Sequence, residues 1–258
     1  MGLFDSVKKQ LGNAAKTAQK AAENLPDSVR QIDVDKTFKG FRKAGEDAVR
    51  KIKSDSTNLY SKTMDSFQKK EKEATQFIRD EDALKIMYYL IAADMSMKAE
   101  EMEMFDSIGR DLDADYEMHR NEIIGGCNSK LAVTADVDEY YDIIHEQVSA
   151  AIHNSQSSGE GDILPTLLLW NMISIAFSEN EYSTIEKRLI RSTARTLGLD
   201  EAIPKEMEAA ARTMIALAKE EEILQASDRK FSEVKPYMDE IAERKQSIME
   251  NVQALLLD

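Results

Sequence analysis

Apolar residues recur at steps of three and four along most of the chain, a spacing typical of amphipathic helices. Such stripes run through 80–93 and 136–153, and an apolar run at 163–177 is too short to span a bilayer and indicates a buried helix. A further stripe at 204–226 precedes a last helix, for which we favour packing over the bundle rather than binding of a partner. Strand-like alternation is almost absent, so the pattern predicts an all-α protein. The Ser- and Gly-rich stretch 154–161 is predicted to be a flexible connection between two halves.

The two halves share a repeated pattern. Asp94 and Glu179, which are 85 residues apart, each end an apolar helix and are followed by a short turn. Glu101 and Glu186 have the same separation, and each lies where the next, acidic-led helix begins. A pattern repeated at a fixed separation predicts an internally duplicated domain. Acidic side chains gathered at two helix junctions would form a site for a cation or a protein partner.

The second junction has the turn chemistry of a well-defined helix start. Ser183 and Glu186 have the spacing of a capping box, and Gly198 is predicted to close the helix as a C-cap. Lys98 takes the cap position in the first junction, so we expect that helix start to be poorly capped. The methionines that cluster around the first junction are Met95, Met97, Met102 and Met104. They fit an adaptable apolar surface or plain core packing, and we favour core packing.

At these junctions the sequence resembles the TerB-like family, named for bacterial tellurite-resistance proteins. The family pattern is an Ala-rich helix end, Asp-Gly, an acidic residue, an aliphatic residue, Ser, and Glu three positions later, followed by a helix that ends in Leu-Gly-Leu. The second junction fits this pattern with Glu179 and Asn180 in place of Asp-Gly, whereas the first keeps Asp94 but has Met95 in place of Gly. The resemblance covers residues 80–225. It implies an all-helical duplicated bundle whose acidic loops bind a metal ion.

A divalent cation is one interpretation of the acidic junctions. Carboxylates are hard oxygen ligands suited to calcium or magnesium, and no Cys or His is placed to favour zinc. The candidate metal ligands are Asp94, Glu101, Glu179, Glu181 and Glu186. In the alternative, which we favour, these side chains only stabilise helix N-termini through the helix dipole.

Charge divides the chain into a basic arm and an acidic body. Residues 1–79 contain 17 Lys or Arg and 11 Asp or Glu, whereas residues 80–258 contain 17 and 37. We place an N-terminal helical arm at 1–79, a TerB-like bundle at 80–226 and a C-terminal helix at 227–258. A body this acidic repels nucleic acid, so we expect no binding to DNA or RNA. The single cysteine suits a reducing compartment.

The arm has the pattern of a basic amphipathic helix. Apolar residues recur every three or four positions through its first segment, and several recur at eleven, which keeps one apolar face aligned. Lysines flank that face, as in helices that lie in a membrane interface. The predicted membrane-binding residues are Leu3, Phe4, Val7, Lys8, Lys9, Leu11, Lys16 and Lys20. Packing of the same face on other helices, as a homo-oligomer or against the bundle, is one alternative, and a disordered tail is the other.

The sequence contains no nucleotide-binding Gly-rich loop, nucleophile elbow or zinc-binding pattern. Asp142 and His145 have an acidic-x-x-His spacing, but a di-iron bundle needs two such pairs, so we expect a solvated pair. We therefore predict a non-enzymatic cytoplasmic adaptor, peripheral at the inner face of the membrane through its arm, which presents the acidic bundle to a protein partner. The resemblance adds a bacterial stress or defence setting. The alternatives are a divalent-cation sensor and a self-assembling helical protein.

Overall fold

A computed structural model describes residues 77–134, 136–178 and 182–257. The helices in these ranges are α1 (Asp80–Ala92), α2 (Ala99–Leu112), α3 (Tyr116–Leu131), α4 (Val137–Ser158), α5 (Pro165–Ala176), α6 (Thr184–Thr196), α7 (Ala202–Gln225) and α8 (Phe231–Leu257). An isolated backbone bridge joins Ile78 to Ile163. No helix in this part of the chain is long and apolar enough to cross a membrane. The predicted all-α fold is confirmed.

The described helices form two copies of a four-helix unit, α1–α4 and α5–α8. The first three helices of the second unit start 85 or 86 residues after their counterparts, at 165 against 80, 184 against 99 and 202 against 116. Helix α1 packs against both α2 and α6, and α5 packs against both α6 and α2. Each unit's first helix therefore contacts the second helix of both units, which is the arrangement expected of a duplicated domain.

Helices α1 and α5 form the centre of the bundle. Every residue of α5 is buried, including Trp170, and α1 is buried almost throughout its last three turns. A helix that is apolar on all sides must be covered on all sides, and α1, α2, α6, α7 and α8 together provide that cover for α5. Ile241, Ile248 and Val252 of α8 are buried, so the predicted packing of the last helix over the bundle is confirmed.

Helix α4 is longer than the sequence pattern indicates. Residues 154–158, predicted to be flexible, form its last turns, and the helix ends at Gly159 in the left-handed conformation with φ of 65°. The prediction is wrong for these residues because Ser155 is buried and its hydroxyl donates to Asp82 Oδ2 at 2.7 Å. That bond fastens the end of α4 to the start of α1.

The bundle also takes in the last residues of the stretch assigned to the arm. Ile78 is fully buried, and its amide donates to the carbonyl of Ile163 at 2.8 Å. The guanidinium of Arg79 lies 2.6 Å from the carboxylate of Asp82. At the far end of α6, Gly198 has φ of 74° and follows the last helical turn, as predicted for a C-cap.

Candidate functional site

Two glutamates occupy equivalent positions at the starts of α2 and α6. Ser183 N donates to Glu186 Oε2 at 2.8 Å and Glu186 N donates to Ser183 Oγ at 3.1 Å, so the predicted capping box is confirmed. Glu101 makes half of the same arrangement, accepting from Lys98 N at 3.3 Å. The second bond of a capping box runs from the amide of the glutamate to the side chain of the cap residue, and a lysine side chain has no atom that can accept it. Helix α2 is therefore the more weakly capped of the two, also as predicted.

The two glutamate side chains meet inside the bundle. Glu101 and Glu186 are each 2% exposed, and a side-chain hydrogen bond joins them. The second oxygen of Glu186, Oε1, is buried and receives no hydrogen bond from an N–H or O–H donor in the described ranges. Burial raises the pKa of Glu186, bonds from Ser183 and Glu101 oppose that rise, and the charge of Asp94 adds to it. Two carboxylates that share a site disfavour each other's charge, and a proton or a cation between them relieves that repulsion.

Of the five candidate metal ligands, Glu101 and Glu186 are joined by a hydrogen bond, and the charge of Asp94 acts on Glu186. Glu179 and Glu181 lie outside the described residues, as do all the membrane-binding positions predicted in the arm. Within the described ranges no group of three His, Cys, Asp or Glu side chains is arranged to hold a metal ion. Metal binding stays a prediction, and the buried carboxyl pair is the feature that favours it.

Aromatic side chains cover the second junction. The rings of Phe177 and Tyr182 lie 4.7 Å apart, and the guanidinium of Arg212 lies 5.6 and 5.8 Å from their centres. Tyr182 Oη donates to Glu208 Oε1 at 3.0 Å, and Glu208 is buried. Phe177 and Tyr182, which flank this turn, are thereby packed against α7.

The corresponding turn of the first unit lacks this cover. Met97, 85 residues before Tyr182, is 56% exposed, and its Sδ lies 3.3 Å from Tyr88 Oη. Met95 is 49% exposed and has φ of 60°, a left-handed conformation that favours Gly. Gly is the residue that the TerB-like pattern has at this position. Core packing was predicted for the methionine cluster. It is confirmed for the buried Met104 and for Met102, which is partly buried against the core, and it is wrong for Met95 and Met97.

The connection between α3 and α4 lies at the same end of the bundle. Tyr88, near the end of α1, contacts Asn128 in the last turn of α3, with 2.7 Å between Oη and Oδ1. Tyr140, in the first turn of α4, donates from Oη to the carbonyl of Ala92 at 3.1 Å. These bonds bring the ends of α1 and α3 together with the start of α4, beside the turn that contains Met97.

Exposed apolar side chains and carboxylates share this end of the bundle, and we call them the junction surface. Its apolar members are Met95, Met97, Val133 and Val137, of which the two valines are 72% and 61% exposed. Its acidic members are Asp94, Asp136, Asp138 and Glu139. The basic residues of the same segments, 94–98 and 130–139, are Lys98 and Lys130. The junction surface is therefore apolar at four positions and net negative.

A cleft of about 890 Å³ lies at the opposite end of α1, where Asp80 lies beside Asp162 of the α4–α5 connection. Burial, together with a hydrogen bond to Asp162, raises the pKa of Asp80 to about 6. His119 Nδ1 lies 2.7 Å from Asp113 Oδ2 on the same cleft, and this bond raises the pKa of His119. The cleft is acidic, and four of its carboxyl groups, those of Asp80, Glu81, Asp113 and Asp162, have partners within it.

The remaining reactive groups have structural partners. His145 Nε2 bonds to Ser192 Oγ, which joins α4 to α6, so the expected pairing with Asp142 is wrong. The Cys127 thiol is buried. Burial raises its pKa to about 11, which makes it a poor nucleophile at neutral pH.

Sequence reasoning found the paired glutamates because the repeat places them at matching positions. It missed Val133, which stands outside any predicted stripe, and it placed Val137 on the apolar side of the stripe at 136–153, where the structure leaves that side chain 61% exposed. Comparison with protein-family models, with curated proteins and with solved structures gives no match. The resemblance to TerB-like proteins therefore stays a prediction.

Proposed function

We propose that this protein is a non-enzymatic adaptor that attaches to an anionic membrane surface through its N-terminal arm and offers the junction surface to a protein partner. The observation that carries the proposal is the contrast between the two junctions. At the second, Phe177 and Tyr182 pack together against α7, whereas the first exposes Met95 and Met97 at the end of the bundle that also holds the exposed Val133 and Val137. Exposed apolar clusters rimmed by polar groups mark interaction sites in soluble domains. The TerB-like resemblance would place such an adaptor in bacterial stress or defence.

Liposome co-sedimentation tests the membrane half of the proposal. Full-length protein should sediment with anionic vesicles at low salt, and deletion of residues 1–75 should abolish this. Val7→Glu with Leu11→Glu places charge on the predicted apolar face and should have the same effect as the deletion. Ser6→Glu with Asn13→Glu adds the same charge off that face and should reduce binding less. Equal sedimentation of full-length and deleted protein would favour the helical-assembly interpretation of the arm.

A divalent-cation sensor is the second candidate, favoured by the buried pair of Glu101 and Glu186. Asp94, whose charge acts on the same pair, would be a further oxygen ligand in such a site. A bound calcium ion would replace the shared proton and bridge the starts of α2 and α6, because hard cations prefer carboxylate oxygens. The ion would thus tie together the two units of the bundle.

Thermal unfolding with and without calcium or magnesium separates this candidate from simple capping. Calcium at about 100 times its Kd should stabilise the fold by about 2.7 kcal/mol, and Glu186→Gln or Asp94→Asn should remove the effect. Glu240→Gln, on the outer part of α8, is the control and should keep it. A Tm unchanged by millimolar cation would leave the glutamates as helix caps.

A further inference from the structure

The composition of the junction surface suits one class of partner. Two of its apolar members are methionines, whose flexible side chains adapt to apolar faces of different shape. Its carboxylates, Asp94 and those at 136–139, outnumber the two lysines of the same segments. We infer that the junction surface binds a basic amphipathic helix, with the apolar face of that helix on the Met and Val side chains and its Lys or Arg residues against the carboxylates. The inference rests on the proposed adaptor function and specifies the chemistry of the partner.

Charge disfavours three other occupants, namely a second copy of the bundle, an anionic membrane and an uncharged helix. A second copy of the bundle would bring a body with 17 basic and 37 acidic residues in 80–258 against an acidic surface. An anionic membrane would meet the same repulsion, since like charges across an interface raise the free energy of the complex. An uncharged apolar helix would cover the carboxylates without pairing them, which penalises binding. A basic helix satisfies both the apolar and the acidic parts of the surface.

The backbone at Met95 provides a clean way to test the site. Its φ of 60° is a conformation that Gly adopts without strain. Met95→Gly therefore removes an exposed apolar side chain and keeps the local backbone. Val133→Ser removes a second exposed apolar side chain, from the turn after α3, where Val133 is 72% exposed. The pair of substitutions, the junction variant, changes no charge.

The experiment measures fluorescence anisotropy of a labelled amphipathic helical peptide built of Leu and Lys, titrated with full-length protein. The junction variant should bind this peptide about tenfold more weakly than the parent, as expected when anchoring side chains are truncated. Met118→Ser with Phe231→Ser is the matched control, because both residues are more than two-thirds exposed and lie outside the junction surface. The affinity of the control variant for the peptide should stay within about twofold of the parent's. An equal loss in both variants, or in neither, would overturn the inference, because a basic peptide would then bind the acidic body at no particular place.

Peptides in which Gln or Glu replaces every Lys test the charge of the partner. Affinity should fall from the Lys peptide to the Gln peptide and then to the Glu peptide, and the Lys peptide should bind more weakly as salt rises. Equal binding of the Lys and Gln peptides, lost in the junction variant, would show an apolar docking surface without charge preference. That result would overturn the basic-helix inference and leave the adaptor function standing. The adaptor function fails separately, in the vesicle measurement, which uses no peptide.

Discussion

Gly109 illustrates how a single position in this bundle is constrained by its neighbour. A Cβ atom built at Gly109 would lie 2.2 Å from Cε2 of Tyr116. The Tyr116 ring is almost fully buried, and its hydroxyl donates to Asp106 at 2.7 Å, so it has little room to retreat. Gly109→Ala should therefore lower the free energy of unfolding by about 1–3 kcal/mol, measured by urea denaturation.

The control for that prediction is a helical glycine with open space. A Cβ at Gly125 of α3 meets no atom within 4 Å. Gly125→Ala should stabilise the fold by about 0.5–1 kcal/mol, since Ala is the better helix former. If Gly109→Ala proves as stable as Gly125→Ala, the packing of α2 on Tyr116 is looser than described.

The facing carboxyl groups of Asp80 and Asp162 predict a pH dependence. The folded protein raises the pKa of Asp80 to about 6, whereas the pKa of an Asp in the unfolded chain is about 4. The folded state thus holds the proton more tightly, so this contribution to stability is complete below about pH 4 and is lost as the pH rises to about 6. Because Asp80 is partly exposed, solvent screening limits the loss to about 1 kcal/mol.

Asp80→Asn keeps a hydrogen-bonding side chain that does not titrate, so this variant should lose less stability than the parent between about pH 4 and 7. Urea midpoints measured across that range provide the comparison. Asp228→Asn, an exposed carboxyl in the α7–α8 connection, should follow the parent. Parallel curves for the parent and Asp80→Asn would show that the two carboxyl groups do not share a proton.

At the scale of the element, the start of α6 should depend on its capping box. Ser183→Ala removes the acceptor for the amide of Glu186 and should cost about 1 kcal/mol of unfolding free energy. Thr184→Ala, at the exposed first residue of the helix, should cost less because Ala suits a helix interior. Equal losses in thermal melts would mean that tertiary packing, rather than the cap, fixes this helix start.

Helices with a broad apolar stripe or a local start signal were predictable from sequence, and α3 was not. Only Tyr116, Ile123, Cys127 and Leu131 of its 16 residues are buried, so its apolar stripe is thin, and two adjacent glycines weaken its helix propensity. It is helical because α1, α2 and α4 surround it. Packing of this kind comes from distant parts of the chain and has no local pattern.

The candidate site likewise has one part that the sequence predicts and one part that it does not. The equivalent positions of Glu101 and Glu186 followed from the repeat, which is a property of sequence alone, whereas the contact between their side chains is a result of the fold. The exposure of Met95 and Met97 did not, since methionines near a turn fit a core as well as a surface. Their exposure depends on the absence of an aromatic cover like that of Tyr182 and Phe177 in the second unit.

At the scale of the whole molecule, the bundle should fold without most of the arm. Deletion of residues 1–75 retains Phe77 and the fully buried Ile78, so the described core stays complete. The deleted protein should be soluble and melt in one cooperative transition with a purely helical circular dichroism spectrum. Precipitation or a non-cooperative melt would show that the arm belongs to the core.

Hydrogen–deuterium exchange of full-length protein, with and without anionic vesicles, tests the adaptor claim most directly because it reports on the arm and the junction surface in one measurement. Vesicles should slow exchange within residues 3–20 of the arm, while the segments 94–98 and 132–137 should exchange at the same rate in both samples. That result would mean that the arm binds the membrane and that the junction surface stays open to a partner. Vesicles that leave the arm unprotected, or that protect the junction segments instead, would contradict the account.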